Sequence, residues 1–161
     1  MNEKADTIRI IEGKEREKFV EKLNEQFGIK EIPGKIIMRG REKVFLFTGD
    51  FENKEIWELE KITFIERVGT YMAKIEEGGI RLSIEGSQIL KNEITKNTIE
   101  LNEEEMETWM MGHEVLKKSG LRGYIIMKYK NEMLGTGKAS EEKITNFIPK
   151  SRRLRDKTIE N

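Results

Sequence analysis

Between Gly120 and Phe147 the chain reads as three short strands joined by tight turns. In Gly123–Tyr129, GYIIMKY, Tyr124, Ile126 and Lys128 fall on one face of an extended segment and Ile125, Met127 and Tyr129 on the other. Lys130-Asn131 can turn the chain, MLGTGKA returns it, and KITNFI follows the Ser140-Glu141-Glu142 turn as a third strand. Short strands joined by tight turns predict a small β-barrel or sandwich.

The residues before this run mix helices and strands, so the fold class expected is α+β. Phe19, Val20, Leu23 and Phe27 have helical spacing within Glu12–Gly28, which ends on a glycine suited to a helix C-terminus. Two β-rich runs, Ile36–Arg39 and Val44–Thr48, flank Gly40-Arg41-Glu42 and predict a hairpin. Asn53 is placed to cap a short helix through KEIWELEKI, with a strand in FIERVGTYMAKI after it. Glu76-Glu77-Gly78-Gly79 reads as a joint, because paired glycines interrupt a regular element. RLSIEGSQIL begins as a strand and turns helical with Ser83 as cap, and Thr98–Leu101 reads as a short strand. Asn102 followed by Glu105 then predicts a capping box for EEEMETWMMG. Glu103, Glu104 and Glu105 suit the positive end of that helix dipole, which favours a cap over catalytic carboxylates.

Composition narrows the chemistry. The 161 residues contain no cysteine and one histidine, which leaves no thiolate nucleophile and little for a soft-metal site, so neither metal nor cofactor is expected. No apolar run approaches the ~20 residues that cross a bilayer. The opening MNEKADTIRI lacks a signal-peptide core, and a cytoplasmic location is the expectation. The formal net charge is zero, yet it is unevenly spread. From Ile80 to Leu116 three bases face eight glutamates, a net −5; from Lys117 to Lys157 twelve bases face four acids, a net +8. A local positive field attracts polyanions whatever the total charge.

No catalytic signature accompanies this charge. Gly135-Thr136-Gly137-Lys138 fails as a phosphate-binding loop, because Glu132 stands where an early glycine is needed and Ala139 where a hydroxyl should follow the lysine. Its glycines suit a strand bend where another backbone or a ligand comes close. His113, just past a helix-ending glycine, reads as a packed or capping residue, and Trp109, Met110 and Met111 as core.

The segment ITNFIPKSRRLR carries Lys150, Arg152, Arg153 and Arg155 within six residues. Pro149 stiffens its backbone, Leu154 offers an apolar anchor, and arginine replaces the lysine common elsewhere. The planar guanidinium fork fits phosphate oxygens and stacks on bases. A partner with a phosphate backbone fits this segment best.

GLRGYIIMKYKNEMLGTGKASEEKITNFIPKSRRLR resembles the second half of a PUA domain, a small RNA-binding barrel. With RLSIEGSQIL and the NEEEMETWMMG helix, it is similar to the RNA-binding region of Nop/Sun-type RNA cytosine methyltransferases, over about Ile80 to Arg155. The resemblance implies an N-terminal α/β pre-PUA domain over 1–78, a PUA-type β-barrel with short helices over 79–156, and a flexible tail over 157–161. It implies binding of structured RNA, ribosomal or transfer RNA, in ribosome biogenesis or RNA modification. The chain has neither a recognisable S-adenosylmethionine site nor catalytic cysteines, so the expectation is a non-enzymatic accessory protein; an adaptor for an RNA-modifying enzyme or a ribosomal assembly is the alternative. Arg122, Lys138, Lys150, Arg152, Arg153 and Arg155 are the candidate phosphate contacts, with Tyr124 and Asn146 as candidates for base or sugar contact; Tyr124 reads equally as a core residue.

Overall fold

The computed structural model describes residues 8–48 and 69–155. The helix expected after Asn53, and the expected strand FIERVGTYMAKI as far as Val68, lie outside the described residues, and the remainder of that strand occurs as Thr70–Glu76. Within them the chain builds two sheets. The first is an antiparallel meander of five strands in chain order: β1 (Ile8–Ile11), β2 (Lys35–Arg39), β3 (Lys43–Phe47), β4 (Thr70–Glu76) and β5 (Gly79–Leu82). Helix α1 (Gly13–Phe27) covers it, burying Phe19, Leu23 and Phe27, and stops at Gly28, whose φ of 77° permits the left-handed C-terminal turn.

The second sheet has the order β6 (Thr98–Glu100), β7 (Gly123–Tyr129), β8 (Glu132–Ala139), β9 (Ile144–Thr145). β6 pairs with β7 in parallel and the other pairs are antiparallel. Two helices flank it. α2 (Ile84–Ile89) starts at Ser83, whose hydroxyl accepts from the Gly86 N–H at 2.9 Å. α3 (Glu103–Met110) starts at Asn102 with the reciprocal capping box: Asn102 Oδ1 accepts from Glu105 N at 2.8 Å, and Glu105 Oε1 from Asn102 N at 3.0 Å.

β7 joins the two sheets through its alternation. Tyr124 and Ile126 enter the core formed with α1 and the first sheet, beside Ile36, Val44, Met72 and Ile80. Ile125 and Met127 enter a second core with Trp109, Val115, Ile144 and Ile148. Both faces of one strand are thus apolar, which is why GYIIMKY is nearly continuous in hydrophobic residues. Burying a side chain of this size stabilises by roughly 1.5–3 kcal/mol, so each core is an independent reason for β7 to stay in place.

The pairs Gly78-Gly79 and Glu76-Glu77, expected as a joint, turn a hairpin instead: Glu76 faces Gly79 across the β4–β5 pair. Tight turns and linkers use the same residues, and a glycine pair does not distinguish them. The chain leaves the first sheet at Ser83. One polar contact ties the two sheets, Thr136 Oγ1 accepting from Leu82 N at 2.9 Å, and two tie α2 to β8, Ser87 Oγ accepting from Gly135 N at 3.0 Å and Gln88 Oε1 from Met133 N at 2.8 Å. The glycines of LGTGK are spacers in this packing. A Cβ on Gly137 would lie 2.5 Å from Ile144 Cγ2 and 2.8 Å from Trp109 Cη2. The expected third strand, KITNFI, pairs over only two residues, because Asn146 and the residues after it turn to hydrogen-bond elsewhere.

Candidate nucleic-acid interface

The basic segment after β9 is clamped to the body. Asn146 donates through Nδ2 to the carbonyls of Trp109 (2.7 Å) and His113 (3.0 Å), while its Oδ1 accepts from Ile148 N at 2.7 Å. That side chain, expected to contact base or sugar, is therefore committed to holding the segment against the end of α3. Ile148 is buried, and Pro149 opens a short 3-10 turn over Lys150–Arg152 closed by the bond from Arg152 N to Pro149 O, 2.8 Å. Arg153 Nε donates to Ile148 O at 2.9 Å, and its guanidinium lies against Gly112. Gly112 has φ +89°, which favours glycine, and a Cβ there would meet Arg153 Nε at 2.3 Å, so any other residue would push the arginine side chain aside. Leu154 N donates to Met110 O at 2.8 Å. The anchor at Leu154 is this backbone bond, since its side chain, expected to be the anchor, is 52% exposed.

Lys150, Arg152, Arg153 and Arg155 consequently leave an ordered backbone and reach solvent. Arg122 and Lys138 are exposed too. Lys138 sits opposite Tyr124 across the β7–β8 pair, with its ammonium 5.9 Å from the Tyr124 ring centre. The Tyr124 ring is 6.3 Å from Phe147, and the Arg81 guanidinium lies 4.3 Å above Phe147. This sequence of contacts carries positive charge from Lys138 along the seam between the sheets to Arg81.

Tyr124 itself is a structural tie. It is 8% exposed, and its hydroxyl donates to Glu76 Oε2 at 2.6 Å, joining β7 to β4. Burial, and then the hydrogen bond to Glu76, push its pKa up to about 12. The same bond is the main cause holding the Glu76 carboxyl below its usual range, with Arg81 and Lys74 adding to it against the opposing effect of burial. His113, expected to pack or to cap, exposes its imidazole and closes the helix end through its backbone, donating to Thr108 O and accepting from Asn146.

Acids temper the basic block. Lys117 Nζ lies 3.1 Å from Glu105, Lys143 Nζ 3.1 Å from Glu114, and Arg152 pairs with Glu85. Exposed pairs of this kind contribute about 0–1 kcal/mol, so a phosphate can compete for such a cation. Arg81 and Phe147 went unassigned in the sequence. Arg81 stands in the acidic block, and nothing in strand β5 announces that it will stack beneath the segment that precedes the arginines.

Comparison with known proteins gives a consistent result. Residues 96–154 match the family model described as the methyltransferase RsmF PUA domain. A ribosomal RNA small subunit methyltransferase F of Vibrio parahaemolyticus is 30% identical over 153 residues, covering 91% of this chain and 30% of the relative. The protein of the same name from Aeromonas hydrophila is 26% identical over 141 residues, covering 87% of this chain and 28% of the relative. The chain thus spans about 30% of the length of the curated relatives it matches. These names overturn the expectation that the protein is not an enzyme: the relatives are methyltransferases, and the missing cysteines and S-adenosylmethionine site describe 161 residues that align with less than a third of them.

Proposed function

We propose that the chain, whose residues 96–154 match the methyltransferase RsmF PUA domain model, binds structured RNA in the cytoplasm and serves ribosomal RNA methylation. Ribosomal RNA is the first target and transfer RNA the second. The observation that carries this reading is the clamped basic segment: its cations project from a backbone held by Asn146, Gly112 and Met110. Ordered arginines lose less freedom on meeting phosphate than arginines on a loose tail. Arg122, Lys138, Lys150, Arg152, Arg153 and Arg155 are the proposed phosphate contacts. Tyr124 and Asn146 support that surface from within. The N-terminal sheet, the counterpart of the expected pre-PUA domain, is proposed as the buttress that fixes β7. Six phosphate contacts give a slope of roughly −4 to −5 for log affinity against log salt, at ~0.7–0.9 per contact. Fluorescence anisotropy with fragments of small-subunit ribosomal RNA and with transfer RNA measures this slope. Absent binding, or binding indifferent to salt, refutes the proposal.

A further inference from the structure

Where β4, β5, the start of α2, β8 and the 3-10 turn meet, the surface opens into a cleft of about 450 Å³. That volume lies within the ~300–1,000 Å³ typical of small-ligand sites. Leu82 is buried at its base, and Tyr71 and Phe147, both half-buried, provide aromatic surface. Two guanidinium groups reach it from opposite parts of the chain. Arg81, from β5, stacks on Phe147 and interacts with the Tyr71 hydroxyl. Arg152, from the basic turn, pairs with Glu85 at the first turn of α2, and both members of that pair line the cleft. The pair is partly exposed, at 53% and 36%. Such a pair adds little stability, and a phosphate can take the carboxylate's place.

We propose that this cleft takes one unpaired nucleotide of the bound RNA, its base packed on Phe147 and Tyr71 and its phosphate replacing Glu85 as the partner of Arg152. Arg81 supplies a second guanidinium, whose flat face and fork suit both ring and phosphate. The inference rests on the RNA-binding reading above and adds to it that the preferred RNA carries an unpaired nucleotide beside its duplex. An acidic peptide would satisfy the arginines and leave the aromatic walls unfilled, whereas a nucleotide satisfies both. Glu85 acts as a stand-in anion that keeps Arg152 oriented until RNA arrives.

The test uses the whole chain and two RNA hairpins with the same stem, one blunt and one extended by a single unpaired 2-aminopurine nucleotide. Stacking of one base on an aromatic side chain predicts about tenfold tighter binding of the extended hairpin, with quenching of its fluorescence. Phe147→Leu should erase that advantage. Because Phe147 also packs against the core, Glu85→Gln provides a second measurement at a partly exposed site. It should tighten the extended hairpin more than the blunt one. Equal affinity of the wild-type chain for the two hairpins overturns the cleft and leaves RNA binding standing. An advantage that neither substitution changes places the nucleotide elsewhere and also overturns it. Failure to bind either hairpin removes both readings.

Discussion

Replacing Tyr124 by Phe removes one oxygen and nothing else, and the structure gives the size of the loss. The hydroxyl donates to a carboxylate at 2.6 Å from a ring that is 8% exposed. A hydrogen bond to a charged group contributes about 1.5–3 kcal/mol. Glu76 would keep Arg81 at 3.5 Å and Lys74 at 3.6 Å, and its side chain is 25% exposed, so the lower part of that range, about 2 kcal/mol, is expected. For a chain of this length that is a fall of roughly 4–8 °C in Tm. The pH dependence identifies the cause. The Glu76 pKa is depressed in the fold, so its share of the stability is present above its ordinary value of 4.5 and is lost as pH falls through the folded value. Tyr124 is raised from 10.0 to about 12, so its share is present below pH 10.0 and is lost as pH rises towards 12. The difference between wild type and variant, measured by urea unfolding, should be flat from about pH 5 to 10 and shrink on either side. A variant as stable as wild type, or a difference unchanged at pH 3, refutes the assignment. RNA affinity at pH 7 should be unaffected, because the hydroxyl faces Glu76 and not solvent.

Arg152→Glu and Arg153→Glu should behave differently although they are neighbours. Both should weaken RNA binding, but only Arg153→Glu should lower Tm, since Arg153 bonds Ile148 O and packs on Gly112; equal Tm values for the two variants would count against the clamp. Gly112→Ala adds a Cβ into Arg153 at a left-handed φ, and should cost about 1–2 kcal/mol and reduce RNA affinity by freeing the basic turn; calorimetry and anisotropy read the two effects. Asn102→Ala removes the cap of α3 and should cost about 1 kcal/mol in urea unfolding, with no change in RNA affinity.

Local patterns were legible because they depend on neighbours in sequence. The α1 stripe, the Ser83 cap and the Asn102–Glu105 box involve partners a few residues apart, the β2–β3 hairpin partners at most from Lys35 to Phe47, and each occurs where its pattern stands. The two faces of GYIIMKY could also be assigned from its period of two. What each face would meet was not legible. Tyr124 read equally as a base contact or as core, and what decides for core is its burial and its partner Glu76, 48 residues away. Asn146 looked available because its three partners, at Trp109, His113 and Ile148, include two from a distant helix end.

The sequence by itself determined the strand and helix periods, the capping chemistry, the absence of thiol and the basic content of the final segment. All of these follow from residue type and short-range geometry. Tertiary structure decided that the segment is clamped, that Arg81 joins it across the seam, and that acids pair with part of the positive block. Those outcomes depend on which strands pair and how the sheets pack, and chain closure brings together side chains that no local spacing relates.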